Sequence, residues 1–436
     1  MNSVYDIIII GAGASGLMSA CLLASFAGKN NDSGNARILI LEKEDRVGRK
    51  LSATGNGRCN LTNMIMDWKH YYGDKDWIKT VLDEVSPDTV IRTFADLGVL
   101  TREKDGYVYP HSNQAATVIG ALYRGIRRPG IQLELSSRVR QVYSEDTYGN
   151  RCISGYDNAD VYTDDNHNDE YKSIEVDPDT GDVLWAPTRF LVKTDEKTYG
   201  CDKLIVATGG PAGAEQGGCD DGYALLQSLG HTVNPALPGL TGMNAAGRFW
   251  KEVAGTRLQG SFTLFVDGMR QGTETGEIQI TKTGVSGIPV FQLCRVAAEA
   301  IAKDKSVWGE IDFVPSLTGE ECVRWIELNG IEGLVPVKWF PVLGRGQKNA
   351  VTLAKTLKHF EFTITDTYDI EKAQVSAGGV PVNEIDPKTF QSRICPGLYV
   401  LGELADIDGM CGGYNLHLAW SSAILAARNI QTPHNL

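Results

Sequence analysis

The chain opens with four consecutive isoleucines, Ile7 to Ile10, apolar on both faces and too short to form a helix. A run of that kind predicts a strand covered on both sides, as in a parallel sheet. Leu17 to Ala27 reads as an apolar helix, and Arg37 to Leu41 as a second buried strand ending on Glu42. Residues 64 to 106 are amphipathic and predict helix. Gly106 to Pro110 predicts a short strand, and His111 to Gly125 a helix with Ser112 and Asn113 as cap candidates. Ile131 to Leu135 reads as a strand running into SSRVRQV. The buried-strand pattern returns at Cys201 to Gly210 and at Gly397 to Leu401. Between them, Gly218 to Gly230 predicts a helix closed by its glycine. From His231 to about Thr283, short runs such as SFTLFVDG and GEIQIT alternate between Gly-rich turns, the pattern of an antiparallel β module. Val290 to Ala302 predicts a helix that opens a small helical stretch, with ECVRWIEL as its clearest member. Phe360 to Thr367 returns to strand, and Leu416 to Asn429 is the final helix.

The turn after the first strand carries Gly11, Gly13 and Gly16 as G-x-G-x-x-G. In a strand–turn–helix context these glycines permit a tight turn, the approach of a pyrophosphate, and close packing of helix on strand. Ala14 and Ser15 complete the turn, whose helix N-terminus offers free N–H groups to phosphate. Glu42, at the tip of the second strand, is placed to accept hydrogen bonds from an adenosine ribose. It lies beyond the usual offset of about 20 residues, and the polar stretch Lys29 to Asn35 accounts for the delay. Residues 43 to 63 (KEDRVGRKLSATGNGRCNLTN) lack apolar periodicity and predict a long functional loop. Within it Arg49, Lys50 and Arg58 are candidates to neutralise a pyrophosphate. Asn56 and Asn60 are candidates to hydrogen-bond a polar ring or ribityl chain.

Length narrows the picture: 436 residues exceed one ordinary core, so two or three domains are expected. Hydrophobic and charged contents of 42% and 22% fit a soluble globular protein. A formal charge of −12 counts against a nucleic-acid surface, which needs a basic face. No apolar run reaches the roughly 20 residues of a membrane helix, and Met1 to Tyr5 has no basic n-region, so no membrane or secretory segment is expected. Nine scattered cysteines without a C-x-x-C or zinc spacing predict reduced core residues and a cytoplasmic protein, with no metal. Asp157 to Asp182 is crowded with carboxylates but lacks EF-hand spacing, and reads as a solvated excursion.

With these blocks in hand, the chain resembles the YhiN/BaiN-like FAD-dependent oxidoreductases. The resemblance runs in order from about residue 5 to residue 428. It passes through GAGASG, EK, VGRKLSATGNGRCNLTN, YPHSNQAATV, ATGG, KTGVSGIPV, VSAGGV and GELADIDGMCGGYN. It implies an α/β chain with a discontinuous Rossmann-like FAD/NAD(P)-binding domain at 1–235 and 373–436, carrying 157–182 as an acidic surface insertion. An antiparallel β-barrel-like domain at 236–290 and 352–372, and a small helical domain at 291–351, are inserted into it. The family fold brings Val139 past the adenine and Ala207, Thr208 and Gly209 to a second dinucleotide contact. It places Gly402 and Glu403 at the ribityl chain, with Asp406 and Asp408 as alternatives. Lys43 and Cys59 fall in the matching blocks, Cys59 in a packing or backbone role. Gly413, Tyr414 and Asn415 open the last helix toward the pyrimidine end of the isoalloxazine, where the helix dipole favours the reduced flavin. The chain departs from the family at His417, where Gln is common, and at Leu418, where Trp is common.

The function these features predict is an oxidoreductase with non-covalent FAD. It would move a hydride between flavin N5 and a small organic substrate or NAD(P)H, the protein supplying orientation and electrostatics. Substrate is expected at a domain interface. Gly344 and Gly346 form G-x-G without a third glycine, so NAD(P)H is a candidate for transient docking only. His111, His417 and Tyr414 are weak candidates for proton transfer. An oxygen-using amine oxidase, an enone reductase, a flavin-dependent nucleic-acid-modifying enzyme and a non-catalytic redox sensor are the competing readings. The acidic balance counts against the nucleic-acid one.

Overall fold

The structure is a computed structural model that describes residues 3–27, 36–144, 175–176, 183–185, 188–344 and 349–432. The polar stretch at 29–35 and most of the acidic excursion at 157–182 lie outside the described residues. The chain divides into two compact units. One comprises Met1–Gly210, Glu215–Pro235 and Gly378–Leu436, the other Pro211–Ala214 and Ala236–Ala377.

The first unit opens with β1 (Ser3–Ile10), α1 (Ala14–Ala27) and β2 (Ile38–Leu41). Ile8, Ile9 and all four residues of β2 are essentially inaccessible, as a strand covered on both faces requires. Where a long loop was expected after Glu42, the chain instead forms α2 (Arg49–Gly57), broken at Thr54 to Asn56, where Gly55 and Asn56 both take positive φ. β3 (Thr62–Asn63) follows. The amphipathic stretch after it begins with a short helical turn and β4 (Tyr71–Tyr72) before α3 (Lys75–Glu84) and α4 (Pro87–Asp96). Asp74 and Ser86 cap these two helices through their side chains. β5 (Thr101–Lys104) and β6 (Tyr107–Pro110) pair with β3 as a small antiparallel sheet. α5 (Ala115–Ile126) has Gln114, not Ser112 or Asn113, at its N-cap, without a side-chain cap bond; Ser112 bonds Thr117 instead.

β7 (Ile131–Glu134), β8 (Val139–Ser144), the short pair β9 (Glu175–Val176) and β10 (Val183–Trp185), β11 (Phe190–Thr194) and β12 (Thr198–Val206) follow. The main sheet runs β7-β2-β1-β12-β11-β8. β12 also pairs in parallel with β21 (Leu398–Val400), the last strand of this sheet. The registers Ile10–Leu41, Leu41–Glu134, Ile10–Val206 and Val206–Val400 bring the carboxyl ends of five parallel strands level. Gly11, Glu42, Ala207 and Gly402 therefore emerge along one edge. The connection from β1 goes to β2 on one side while β12 lies on the other, the crevice where open α/β sheets bind ligands. α6 (Asp221–Ser228) precedes β13 (Asn234–Gly239). Near the chain's end, β22 (Asp408–Gly409) pairs with β4, and α12 (Tyr414–Gln431) packs on α1.

The second unit is a closed antiparallel barrel of six strands, β14 (Met243–Ala245), β15 (Arg257–Val266), β16 (Met269–Ile280), β17 (Gly284–Ser286), β18 (Val307–Asp312) and β19 (Phe360–Thr367), in the order β14-β17-β16-β15-β18-β19. With it go α7 (Trp250–Val253), α8 (Ile288–Ile301), α9 (Gly319–Asn329), α10 (Phe340–Leu343) and α11 (Ala350–Lys358). The chain returns to the first unit through β20 (Val375–Gly379). Trp250, Phe262, Trp339 and Phe362 join one aromatic core, and Gly309 is bare because a Cβ there would fall 2.7 Å from Phe262. The ECVRWIEL helix begins with a reciprocal capping box between Thr318 and Glu321. No helix among the described residues is long and apolar enough to cross a membrane.

Candidate functional site

The level strand ends of the first unit frame a cleft of about 630 Å³, counted out to its open mouth. Its floor is the glycine turn, and the three glycines differ in why they are bare. A Cβ on Gly11 would lie 2.5 Å from the Ala207 oxygen, and one on Gly16 would lie 2.0 Å from the Gly11 oxygen. Backbone packing alone excludes side chains at those two positions. A Cβ on Gly13 would meet nothing nearer than the Ala207 oxygen at 4.0 Å, and Gly13 lines the cleft. The protein leaves that space open on the cleft side, beside the N-terminus of α1.

Glu42 does more than wait for a ribose. Its Oε2 accepts the Ala12 N–H at 2.7 Å and its Oε1 accepts the Glu44 N–H at 2.9 Å. The residue is buried, and burial raises its carboxyl pKa while those two N–H groups pull it down. Each oxygen keeps a lone pair to offer the cleft. Gly48 N–H donates to the Ala12 oxygen at 2.9 Å, so the start of α2 hangs on the same residue. Ser137 N–H donates to the Glu42 carbonyl, which carries Val139 to the cleft wall.

The structure gathers Gly11, Gly13, Glu42, Lys43, Arg49, Lys50, Val139, Ala207 and Thr208 around this one cleft. Lys50 Nζ donates to both Glu403 oxygens, at 2.8 and 3.1 Å. Arg49 binds Glu44 and the Glu215 carbonyl. Ser15 is buried with its Oγ beside Gly402, and Glu403 lies 3.9 Å from where a Gly209 Cβ would be. Arg58 is elsewhere: it donates to the Gly55 oxygen and lies over the Tyr109 ring, away from the cleft wall. Asn56 is exposed. Sequence reasoning missed Arg138 and Asp221, which face each other across the cleft rim and form an ion pair. Their partnership spans 83 residues and leaves no local signal.

A second group of candidates surrounds the start of α12. Asn60 is buried against Gly413, and Cys59 beside it takes a positive φ of 58°. Burial pushes the Cys59 thiol up to about 12, so it is not a thiolate at neutral pH. Asn415 spends its side chain on both backbone groups of Gly409. Asp406 accepts from Gly378 N–H and Asn234, while Asp408 is buried in the β4–β22 pair. Tyr414 donates to the Ile65 oxygen at 3.1 Å, and burial pushes its hydroxyl up to about 12. His70, unnoticed in the sequence, stacks on the Tyr414 ring at 4.6 Å.

Of the proton-transfer candidates, His417 is placed as a packed helix residue. It is fully buried, donates from Nε2 to the Val85 oxygen at 3.0 Å, and accepts at Nδ1 from the Thr62 hydroxyl at 2.8 Å. Both ring nitrogens are committed, and burial pushes its pKa down to about 4. It is a neutral packing residue. His111 is exposed in the turn after β6.

One constellation imitates a hydrolase. Ser392 Oγ is 2.8 Å from His231 Nε2, whose Nδ1 is 2.8 Å from Glu384 Oε2. Yet Ser392 Oγ also accepts the N–H groups of Ile394 and Cys395, at 3.0 and 2.8 Å. With its proton directed at the histidine and both lone pairs filled, the hydroxyl has nothing left for attack. The group pins a turn.

The chain matches the family model described as HI0933-like protein Rossmann domain over residues 5–163 and 170–429. It is 32% identical over 445 residues to a 3-dehydro-bile acid delta(4,6)-reductase of Clostridium scindens, covering 96% of this chain and 97% of the relative. It is 26% identical to a ribosomal RNA dihydrouridine synthase of Haemophilus influenzae, covering 99% of each chain. The protein of that name from Escherichia coli is 24% identical, with 98% of each covered.

Two outcomes follow from this geometry. Gly13→Val should fold with an unfolding midpoint near wild type, while Gly16→Val should not yield soluble protein; equal loss in both would contradict the open cradle at Gly13. His417 stays neutral in the native state while an unfolded histidine protonates near 6.5. Its contribution, up to about 3 kcal/mol, is full above that pH and is lost as pH falls toward 4. Denaturant titrations of His417→Gln should therefore show a flatter acid limb than wild type.

Proposed function

This chain belongs to the HI0933-like Rossmann-domain family, and from that premise we propose that it is an FAD-dependent reductase of carbon–carbon double bonds conjugated to a carbonyl. The observation that carries the reading is the match, along nearly the whole of both chains, to a delta(4,6)-reductase of a 3-dehydro compound. The dihydrouridine synthases point to the same chemistry, since uridine becomes dihydrouridine by gaining hydrogen across a ring double bond next to a carbonyl.

The residues present fit the cofactor at both ends of the first unit. The Gly11–Gly16 turn would hold the pyrophosphate over the open face of Gly13, Glu42 the ribose, and Val139 the adenine. Lys50, fixed by Glu403, would offset phosphate charge, and the start of α12 would face the ring. When bound, the flavin supplies hydride transfer at N5. Tyr414 keeps its proton at neutral pH and holds it on the Ile65 oxygen. NADH or NADPH is the proposed electron donor, docking transiently. An oxygen-using amine oxidase and a redox sensor without turnover remain the readings this one competes with.

A second reading, reduction of a base in RNA, has an observation in its favour. Twelve of the fifty-four carboxylates and two of the forty-two cations lie between Glu145 and Pro187, so that stretch carries ten of the twelve net negative charges. The rest of the chain is close to neutral, and the acidic total no longer counts against an RNA substrate.

Anaerobic mixing of the purified yellow protein is the test. NADH or NADPH should bleach the flavin, and a conjugated enone, but not its saturated ketone, should restore the colour. Bleaching by a small amine with recovery only in oxygen would overturn the reductase assignment. Recovery with a uridine-containing rRNA fragment and not with enones would favour the second reading.

A further inference from the structure

β5 and β6 put cations and rings on one side of their small sheet. The register pairs Arg102 with Tyr109 and Lys104 with Tyr107, so these four side chains share a face, while Glu103 and Val108 share the other. Val108 and Pro110 are buried on that second face, whereas Arg102, Lys104 and Tyr107 are exposed. The Tyr107 and Tyr109 rings lie within 22° of parallel, with centroids 6.5 Å apart.

Arg58 completes the patch. It is exposed, and its guanidinium lies over the Tyr109 ring at 5.4 Å from the centroid. The break in α2 delivers it there. Gly55, Asn56, Gly57 and Cys59 all take positive φ, and Arg58 Nε donates to the Gly55 oxygen at 3.2 Å. Two of those four residues are not glycine, a backbone strain of the kind held at functional positions. No ion pair among the described residues involves Arg58, Arg102 or Lys104. Glu103 spends its carboxylate on Gly106 N–H, and Asp105 lies exposed in the turn beside Tyr107. The patch adjoins the start of α12. Asn63, opposite Tyr107, donates to the Gly412 oxygen, and Cys411 and Tyr414 both act electrostatically on the Tyr107 hydroxyl.

We propose that this face docks the adenosine half of the pyridine dinucleotide that reduces the flavin. The base lies against the Tyr107 and Tyr109 rings beside the Arg58 guanidinium, and the phosphates meet Arg102 and Lys104. The inference rests on the flavin and donor readings above and says where the donor sits. The glycine turn is taken by FAD in that reading, so the donor needs a different surface. A base offers a π face to rings and guanidinium, and a pyrophosphate offers the charge that two unpaired cations lack. RNA has the same chemistry, but two strands of four residues beside the start of α12 suit a dinucleotide better than a long strand.

The test uses the purified yellow full-length protein and reads docking and reduction separately. Calorimetry with NADP⁺ on the oxidised protein reads docking without turnover. Arg102→Gln combined with Lys104→Gln should weaken NADP⁺ about ten- to a hundredfold, the loss of two charge-assisted contacts. Tyr107→Leu should weaken it about tenfold through lost stacking. On anaerobic mixing, both variants should need correspondingly more NADPH for half-maximal bleaching, with the limiting rate and flavin content unchanged. Reduced nicotinamide mononucleotide, which lacks the adenosine half, should bleach wild type and variants alike. Lys79→Gln, on α3 and paired with Asp76, should leave every reading as in wild type. Wild-type NADP⁺ affinity in the double variant would overturn the proposal, and so would an equal loss with the mononucleotide. Weaker recovery with a uridine-containing rRNA fragment, with NADPH untouched, would overturn it in favour of RNA on this face. If neither dinucleotide bleaches wild type while chemically reduced protein still reduces an enone, the proposal falls and the reductase reading stands.

Discussion

The contact on which the first unit depends is the buried carboxylate of Glu42 on the backbone of Ala12. Without it the glycine turn would be a loop between a strand and a helix, free to settle in many shapes. With it, the tip of β2 grips the middle of the turn at 2.7 Å, and the same residue's carbonyl carries the start of α2 through Gly48. A charge-assisted hydrogen bond in such a place contributes about 1.5–3 kcal/mol, but its larger effect is geometric. It fixes which way the remaining N–H groups of the turn point. Glu42 therefore acts twice, as a clamp on the turn and as a candidate ribose acceptor. Removing the carboxylate would strip a partner from the Ala12 and Glu44 N–H groups before any ligand was lost.

How much of this was legible in the sequence follows from the range of the interactions. β1, α1 and β2 were readable because their signal is local: four β-branched residues, three glycines at fixed spacing, a second apolar run. Most of the barrel strands and the last helix were readable for the same reason, but β18 was not, since it lies in the 291–351 stretch expected to be helical. α2 was not, because residues 49–57 contain two glycines and an asparagine, and the helix starts from a bond to Ala12 that no window around Arg49 can contain. The cap of α5 was misplaced because Ser112 found Thr117's hydroxyl instead of a backbone N–H. Arg58 looked like a phosphate ligand by charge and position, but the Tyr109 ring beside it offers a face for its guanidinium. The Arg138–Asp221 pair and the His70–Tyr414 stack were invisible, since nothing near either residue in sequence announces a partner so far along the chain.

His417 shows what a departure from the family pattern changes at a single position. A histidine in the first turn of the last helix invites a catalytic role. The structure gives both ring nitrogens the contacts that a glutamine amide could also make, one donor and one acceptor, toward Val85 and Thr62. What changes with histidine is the coupling of stability to pH, because the ring must stay neutral to remain buried.

The two polar clusters of the first unit point to a general criterion. Ser392, His231 and Glu384 have the residue types and the distances of a nucleophile, its base and an orienting acid. They are inert because every lone pair and proton of the hydroxyl is already used. Asn60 has no such reputation, yet its Oδ1 is buried and unspent beside a helix start that has donors to spare. Folding alone would favour filling that valence, as it filled those of Asn63 and Asn415. Residue identity and spacing suggest where chemistry could occur, and whether the fold has already spent a group's hydrogen-bonding capacity decides between the suggestions.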